Sequence, residues 1–498
     1  MSEPQPPLDP WEEHLSAPVR DRQVIVAFEV LAGMTRTVAD LARWGARPPL
    51  LVSDARGVGP IPDPFAADVV ELPEQTFPTL TEQVRARMSP QQRLTPDVVA
   101  AIDAYDPDRQ ARWWVSPVCP NADLLGRAVL GGRPQHQARL EDKMLLDDLL
   151  SRVGAPTTPA VQCLSTYDDL MPATDEVVRA TGDGQAVWSG DARDGTTGGG
   201  DLVRWIRTDG QATMAAHFFA EQCDRVRVAA FLDGVPCSIH AMCLPDGVVV
   251  FNPVELAILR DAERGRFVTA GMGTTWSPPP VDAQHMQALA RAVGTELAKS
   301  FGYRGGFGID GVLTADGFHV TEINPRFSGG LGRLARVAPS THLALIQLNA
   351  LIGRDIGRPA AQVEHETRAL LDQHLFVDAH GVSAARTLDA HTEVPVVAGP
   401  ARLDEAAAME PEPSEPAEPA ATPAAPVLGF VSAGPSPLGT FVRLHLGDQV
   451  VGAGDRAAAF GALLLDFADR HWDTGFGRVL IAPDVRAASI GADEWAHG

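Results

Sequence analysis

Thr321-Glu322-Ile323-Asn324-Pro325-Arg326, a short loop away from Asp310, is the stretch whose reading decides the fold. Its flanks, Phe307 to Leu313 and Phe318 to Ile323, are rich in apolar and β-branched residues, and the turn-forming cluster Thr314-Ala315-Asp316-Gly317 lies between them. This pattern predicts a β-hairpin. Side chains alternate along a strand, so Glu322 and Asn324 share one face. Folding about Asp316 brings Asp310 opposite Glu322 to within about one residue of register, and directly opposed residues have Cβ atoms roughly 4.5–5.5 Å apart. Three oxygen ligands thereby converge on one wet edge of a sheet. Hard cations such as Mg²⁺ take such oxygens, usually one or two carboxylates plus nucleotide phosphates. Acids beside a hairpin are more often simply solvated. Here they sit inside apolar strands, where an unpaired carboxylate is costly to bury.

Working outward, the 498 residues are too many for one ordinary core, and two to four domains are expected. A hydrophobic content of 45% suits a globular protein, and no run of about 18 apolar residues offers a membrane span. Met1 to Pro7 lacks the basic-then-apolar pattern of a signal peptide. A net charge of -23 disfavours nucleic-acid or anionic-membrane partners, which need basic patches to release counterions. Cys119, Cys163, Cys223, Cys237 and Cys243 are scattered, with no Cys-x-x-Cys pair, so neither a disulfide framework nor a zinc knuckle is expected. Their spacing fits small buried residues in a reducing cytoplasm. Lys143 and Lys299 are the only lysines among 41 basic residues, which raises interest in a point-charge role that a guanidinium fits poorly.

Five segments are expected. Residues 1–21 read as a flexible tail. Residues 22–139 read as a small α/β domain with a parallel sheet, from strand-like 23–28, 50–52 and 68–72 and a helix over 35–44. Residues 140–402 form the central domain, with a subdomain at about 160–228; within it, 142–153 reads as a helix ended by Gly154-Ala155-Pro156. Pro278-Pro279-Pro280 introduces a second helix, whose stripe of Met286, Leu289, Ala290, Val293 and Leu297 is core and whose terminator is Gly302. Residues 403–427 are an acidic Pro/Ala linker. Residues 428–498 read as an appended α+β module, with strands at 441–446 and 478–481 around a helix at 456–470, able to shape a substrate mouth or pair subunits as a homodimer.

Asp194-Gly195-Thr196-Thr197-Gly198-Gly199-Gly200 lies between two strand-like runs. A glycine-rich loop there can turn successive N–H groups inward as an anion nest and close on phosphates, or it can be a plain surface turn. No P-loop motif is present. Gly306-Phe307-Gly308-Ile309-Asp310-Gly311 matches Gly-x-Gly-x-x-Gly, but a strand follows where a dinucleotide fingerprint needs a helix.

An acid on one strand, Glu-x-Asn on its antiparallel neighbour, a glycine-rich loop upstream and an earlier Asp142-Lys143 together resemble the ATP-grasp superfamily of carboxylate–amine ligases over roughly residues 22 to 400. The segments 231–240, 252–255 and 302–307 look like bacterial peptide ligases of the pheganomycin-biosynthesis type. The resemblance implies a mixed α/β, α+β fold: a pre-ATP-grasp domain, a lid, an antiparallel catalytic sheet and a small C-terminal module. It implies Asp310, Glu322 and Asn324 as metal ligands, for two Mg²⁺ with Mn²⁺ as an alternative. Lys143 would contact ATP phosphate and assist catalysis, and Arg326 would steady the acyl phosphate. Gly195, Thr196, Thr197, Gly198 and Gly199 would close over the phosphates, with Ala230, Phe231 and Leu232 near the adenine. Two positions depart from the family pattern. Val187-Trp188-Ser189 stands where many members carry a second lysine, and Pro236-Cys237-Ser238 where many carry a ribose-binding glutamate; either Glu255, Arg204 or His240 substitutes, or nucleotide affinity is reduced. The implied activity is ATP-dependent joining of a small-molecule carboxylate to an amine, amino acids or a short peptide, releasing ADP and phosphate. A thiol, hydroxyl or intramolecular amine acceptor is the alternative, as is a non-catalytic ATP sensor. Arg304, Arg333 and Arg336 are candidates for a substrate carboxylate, against the commoner case of plain surface arginines.

Overall fold

The computed structural model describes residues 7–182, 184–191, 193, 198–397, 427–447 and 450–486. Five short strands, β1 (Val24–Glu29), β2 (Leu50–Ser53), β3 (Asp68–Glu71), β4 (Arg112–Trp114) and β5 (Val129–Leu130), form a parallel sheet in the order β3-β2-β1-β4-β5. Both faces are covered, as a parallel sheet requires. The helix Leu31–Arg43 buries Leu31, Met34, Val38 and Leu41, spaced for one face, and starts four residues earlier than its sequence pattern suggests.

A four-stranded antiparallel sheet follows: β6 (Ala160–Leu164), β7 (Ala186–Gly190), β8 (Val203–Ile206) and β9 (Arg225–Ala230), ordered β6-β9-β7-β8. Alternation assigns its faces. Ala186, Trp188, Val226 and Val228 pack against the helices Tyr167–Thr181 and Asp209–Gln222, which leaves Val187, Ser189, Arg227 and Ala229 on the other side.

The third sheet has ten strands: β10 (Val235–Leu244), β11 (Gly247–Val250), β12 (Val254–Asp261), β13 (Arg266–Gly273), β14 (Gly305–Thr314), β15 (Gly317–Asn324), β16 (Val377–Ser383), β17 (Thr392–Val397), β18 (Val427–Ser436) and β19 (Gly439–Leu446). Their order is β15-β14-β10-β12-β13-β16-β19-β18-β17, with β11 pairing β10. One face carries two helices. Pro280–Phe301 buries Met286, Ala290, Val293 and Leu297 against Ile239, Phe307, Ile309, Val320 and Ile323, and ends at Gly302 in the left-handed region, φ 59°. Ala457–Trp472 lies over Ala257, Leu259, Ala270 and Leu444. The opposite face of β12, β14 and β15 looks toward the four-stranded sheet across a cavity.

Three expectations are corrected. The chain beyond 427 is no separate module: β18 and β19 pair with β17 and β16, so a boundary at 403 would cut one sheet in two. Arg478 to Ile481 forms only a single bridge, Leu480 to Arg260. The helix over 142–153 begins as a 3-10 turn, Lys143–Leu145, before the α-helix Leu146–Arg152, because Asp142 caps the Met144 N–H at 3.0 Å. The expected linker at 403–427 lies, except for Val427, outside the described residues. Among the described residues no helix is long and apolar enough to cross a membrane.

Glu255 ties the C-terminal helix to this sheet. It is fully buried, accepts from the Ala457 N–H at 2.6 Å, and meets Arg456 Nε at 2.8 Å. A carboxylate at a helix N-terminus satisfies N–H groups that have no partner within the helix. Replacing it (Glu255→Ala) should cost about 1–3 kcal/mol for the groups left unpaired. Urea unfolding reads this loss, while nucleotide affinity of the folded protein should stay unchanged.

Candidate functional site

The hairpin β14–β15 sets the site. Thr314 pairs with Gly317, a register that would by itself place Asp310 against Thr321. A β-bulge between Asp310 and Gly311 shifts the ladder by one, so that Asp310 faces Glu322 and Gly308 faces Asn324. The same bulge lets Val320 and Ile323, three residues apart, both reach the core under Pro280–Phe301. Thr321 Oγ1 secures the irregularity by donating to the Asp310 carbonyl at 3.2 Å. Asp310, Glu322 and Asn324 all line the cavity.

Their contacts join them into one unit. Asn324 Nδ2 donates to Asp310 Oδ2 at 2.9 Å, and Asn324 Oδ1 accepts from Arg326 at 2.9 Å. Arg326 also bonds Glu141, which is held by Arg133 at 2.7 and 3.2 Å. Lys143 Nζ stands 3.4 Å from Glu322 Oε2. Burial opposes the Arg326 charge, but Glu141 and Glu322 outweigh it and hold its pKa above the ordinary value. Burial, and then the charge of Glu322, push the Asp310 carboxyl up to about 6, against the opposing pull of Ser238, Arg326 and Lys143. Two facing carboxylates with an amide oxygen beside them fit a hard divalent cation, whose charge would relieve the repulsion that raises the Asp310 pKa.

The cavity, about 370 Å³, continues from this charged end into an apolar slot. Val187 and Leu202 come from the four-stranded sheet and its loop, Leu256, Ile258 and Val312 from the ten-stranded one. Ala230, Phe231 and Leu232 lie where one sheet passes into the other, and they too border the slot. Phe231 stacks on Trp205 at 4.9 Å and lies under the Arg260 guanidinium. This size and the placing of polar groups at one end suit a small ligand with an apolar body and an anionic tail.

Gly198, Gly199 and Gly200 edge the same cavity. Gly199 and Gly200 have φ of 60° and 73°, conformations that glycine adopts without a Cβ penalty. Thr81, from the first domain, accepts from the Gly198 N–H at 3.1 Å, and its own N–H donates to Asp201 at 2.8 Å. Asp194, Gly195, Thr196 and Thr197 lie outside the described residues.

Glu255, expected near the nucleotide, does not border the cavity. It is committed to Arg456 and the Ala457 N–H, because it points with Ala257 and Leu259 toward the helical face. Arg204 and His240 are likewise elsewhere: Arg204 covers Phe218, and His240 is buried beside Ser328. Two cationic residues that sequence reasoning missed do line the cavity, Arg227 and Arg260. Arg227 is opposite Ser189 in the β7–β9 ladder and is gripped by Asp147 at 2.7 and 2.9 Å. The alternation Arg225-Val226-Arg227-Val228 was the available signal. It put Arg227 on the face opposite the helices, the face where the expected second lysine was missing. Gly306 to Gly311 runs as strand, its glycines leaving room for Leu331, His240 and Phe318.

Asp310→Asn should remove the repulsion and raise the melting temperature of metal-free protein. The same variant should weaken Mg²⁺-dependent nucleotide binding at least tenfold, with no change in nucleotide binding measured in EDTA; calorimetry in the two buffers separates the effects.

Residues 194–330 match the family profile of an ATP-grasp domain. Among solved structures, the chain is similar to N5-carboxyaminoimidazole ribonucleotide synthetase in its ADP complex, at 12% identity and TM-score 0.47 over 91% of this chain and 98% of that one. It is similar to phosphoribosylamine–glycine ligase from Thermotoga maritima at 13% identity and TM-score 0.49, over 89% and 96%. It is similar to the biotin carboxylase domain of 2-oxoglutarate carboxylase from Hydrogenobacter thermophilus, a complex with MgADP, ADP and bicarbonate, at 12% identity and TM-score 0.49, over 85% and 86%. The chain carries an ATP-grasp domain match over 194–330, and its architecture is mixed α/β with a parallel-sheet domain ahead of that match.

Proposed function

We propose that this protein is an ATP-dependent carboxylate–amine ligase that releases ADP and phosphate. The observation that carries this reading is the facing pair Asp310 and Glu322 at the charged end of a cavity that continues into a largely apolar slot. The adenine would lie in the slot against Ala230, Phe231 and Leu232, and the phosphates would extend toward Lys143, Arg227 and Gly198, Gly199 and Gly200. Asp310, Glu322 and Asn324 would hold Mg²⁺, two ions with Mn²⁺ able to replace them, which supplies charge neutralisation for phosphoryl transfer.

A carboxylate is a poor electrophile. Its oxygen attacks the γ-phosphorus, an O–P bond forms, and the bond to the β-bridging oxygen breaks to leave ADP. The amine nitrogen then attacks the acyl carbon, a C–N bond forms, phosphate departs with the C–O electron pair, and the nitrogen loses a proton. Arg326, held by Glu141, would offset the charge of the transferred phosphoryl. Arg260 and the Phe231–Trp205 stack wall the slot from solvent, and closure of the four-stranded sheet would keep water from the acyl phosphate. No covalent protein nucleophile is required. The substrates would be amino acids or a short peptide, in natural-product synthesis by the resemblance to pheganomycin-type ligases, and the scattered cysteines support a cytoplasmic setting.

The test is ADP and phosphate release with a panel of acid–amine pairs. ADP is the expected product, and AMP with pyrophosphate refutes the reading. Glu322→Gln should lower turnover at least a thousandfold with the fold intact by circular dichroism. Normal turnover in that variant overturns the assignment of the site. Nucleotide binding without product across the panel points to a sensor instead.

A further inference from the structure

The parallel-sheet domain meets the rest of the chain near the site at two places. At one, the helix Leu31–Arg43 and Trp114 close a second cavity, about 490 Å³, against the helices that follow the hairpin; Phe327 lines it while its neighbour Arg326 lines the first. At the other, the helix Leu80–Met88 meets the glycine-rich loop through its first two residues. That contact falls on Gly198 and Gly199, which edge the first cavity.

Residues 198–203 fold as two consecutive turns. The Asp201 N–H donates to the Gly198 carbonyl at 3.1 Å, and the Val203 N–H to the Gly200 carbonyl at 2.9 Å. Arg204 holds the base of these turns, donating to the Asp201 and Val203 carbonyls at 2.7 and 2.8 Å. The first domain holds the other side. Thr81 Oγ1 accepts the Gly198 N–H at 3.1 Å, and the Asp201 carboxylate accepts the Thr81 N–H at 2.8 Å. This N–H is among the first four of its helix, which have no partner inside the helix and favour a negative group. Leu80 completes the contact by packing. A Cβ on Gly199 would stand 2.8 Å from Leu80 Cδ2, and one on Gly198 would stand 3.1 Å from Leu80 Cγ. Two of the three glycines thus admit Leu80 to the loop backbone. Gly200 differs, since nothing lies within 4 Å of its missing Cβ.

The anchor is itself fixed. Thr81 and Phe77 are buried, and Thr79 Oγ1 caps the Glu82 N–H at 3.2 Å. The Phe77 N–H donates to the carbonyl of Pro437, at the tip of the hairpin β18–β19, at 2.7 Å. Residues 77–82 therefore run from the edge of the ten-stranded sheet to the glycine-rich loop.

Resting on the reading of the first cavity as a nucleotide site, we propose that Thr81 and Leu80 are positioning residues for the phosphate loop: the first domain holds residues 198–201 over the phosphates, and retention of the nucleotide depends on that hold. Thr81 and Leu80 do not line the cavity, so they act through the glycines that do. A loop tied on both sides keeps its backbone in place before the ligand arrives, and less ordering entropy is then lost on binding. The base would lie against Ala230, Phe231 and Leu232, outside the held segment, so the effect belongs to the phosphates.

The experiment measures binding by the full chain in Mg²⁺, with no turnover required. MgADP dissociation is followed by stopped-flow displacement, and adenosine affinity by competition with MgADP. Thr81→Val keeps the side chain's shape and removes its hydroxyl, while Asp201→Ala removes the carboxylate. Each should raise the MgADP dissociation rate about tenfold and leave the affinity for adenosine, which has no phosphate, within twofold. Thr81→Ser retains the hydroxyl and should stay within twofold of the parent chain for both ligands. The double variant should exceed either single one by less than threefold, because both contacts tie the same two segments. Unchanged MgADP dissociation in both single variants, or an equal loss of adenosine and MgADP, overturns the positioning role. MgADP held by the parent and lost faster by the variants upholds it even if no acid–amine pair releases ADP, an outcome that sinks the ligase reading alone. A parent chain that binds no MgADP overturns both.

Discussion

Asp310 and Glu322 are held face to face by the ladder of two adjoining strands, and two like charges so placed resist being charged together. The surrounding structure enforces that placement. Val320 and Ile323 anchor β15 to the core on one side of the bulge, Thr321 ties it to the Asp310 carbonyl, and Asn324 is clamped between Asp310 and Arg326. Arg326 is in turn fixed by a buried glutamate that a second arginine holds. Packing of this kind around a repulsive pair is what the proposed cation ligation calls for, since a divalent ion would convert the repulsion into joint ligation.

The strand pattern that built this pair was legible because apolar and polar residues alternate through Phe307 to Asn324. The extra residue of the bulge was not. Register from the turn alone stops one position short, and only the need of Val320 and Ile323 to share the core side reveals the shift. The parallel sheet at the start and the helix Pro280–Phe301 were equally clear, since Gly302 and the proline run mark both ends. The strands β16 to β18 were missed. Glycine, proline and histidine interrupt them, and their partners lie across a Pro/Ala-rich tract that suggested a boundary. Glu255 misled for a different reason: its place beside a hinge resembled a ligand position, while the orientation that gives it to a helix N-terminus depends on a chain segment 200 residues away.

The sheet's continuity changes how the charge of the molecule is understood. A net charge of -23 disfavours polyanionic partners at long range, yet arginines gather at the two cavities, where low dielectric and short distance dominate over the screened field of the surface. Arg227 and Arg260 border the first cavity, Arg36 and Arg336 the second. The first pair is neutralised by Asp147 and Asp233, so it shapes the slot more than it attracts.

The second group also meets acids, since Glu12 and Asp40 line that cavity, Asp40 at 3.4 Å from Arg36 and Glu12 at 2.6 Å from Arg43. Arg333 and Arg443 share Asp378. That sharing depends on the strands after residue 427 joining the central sheet. Only as part of it does β19 stand beside β16, with Arg443 opposite His380 in the ladder. The same tie, through Glu255 at the start of the C-terminal helix, links the position of that strand to the sheet that walls the first cavity. The two cavities thus adjoin across the segment Pro325–Ser328, with Arg326 on the first and Phe327 on the second.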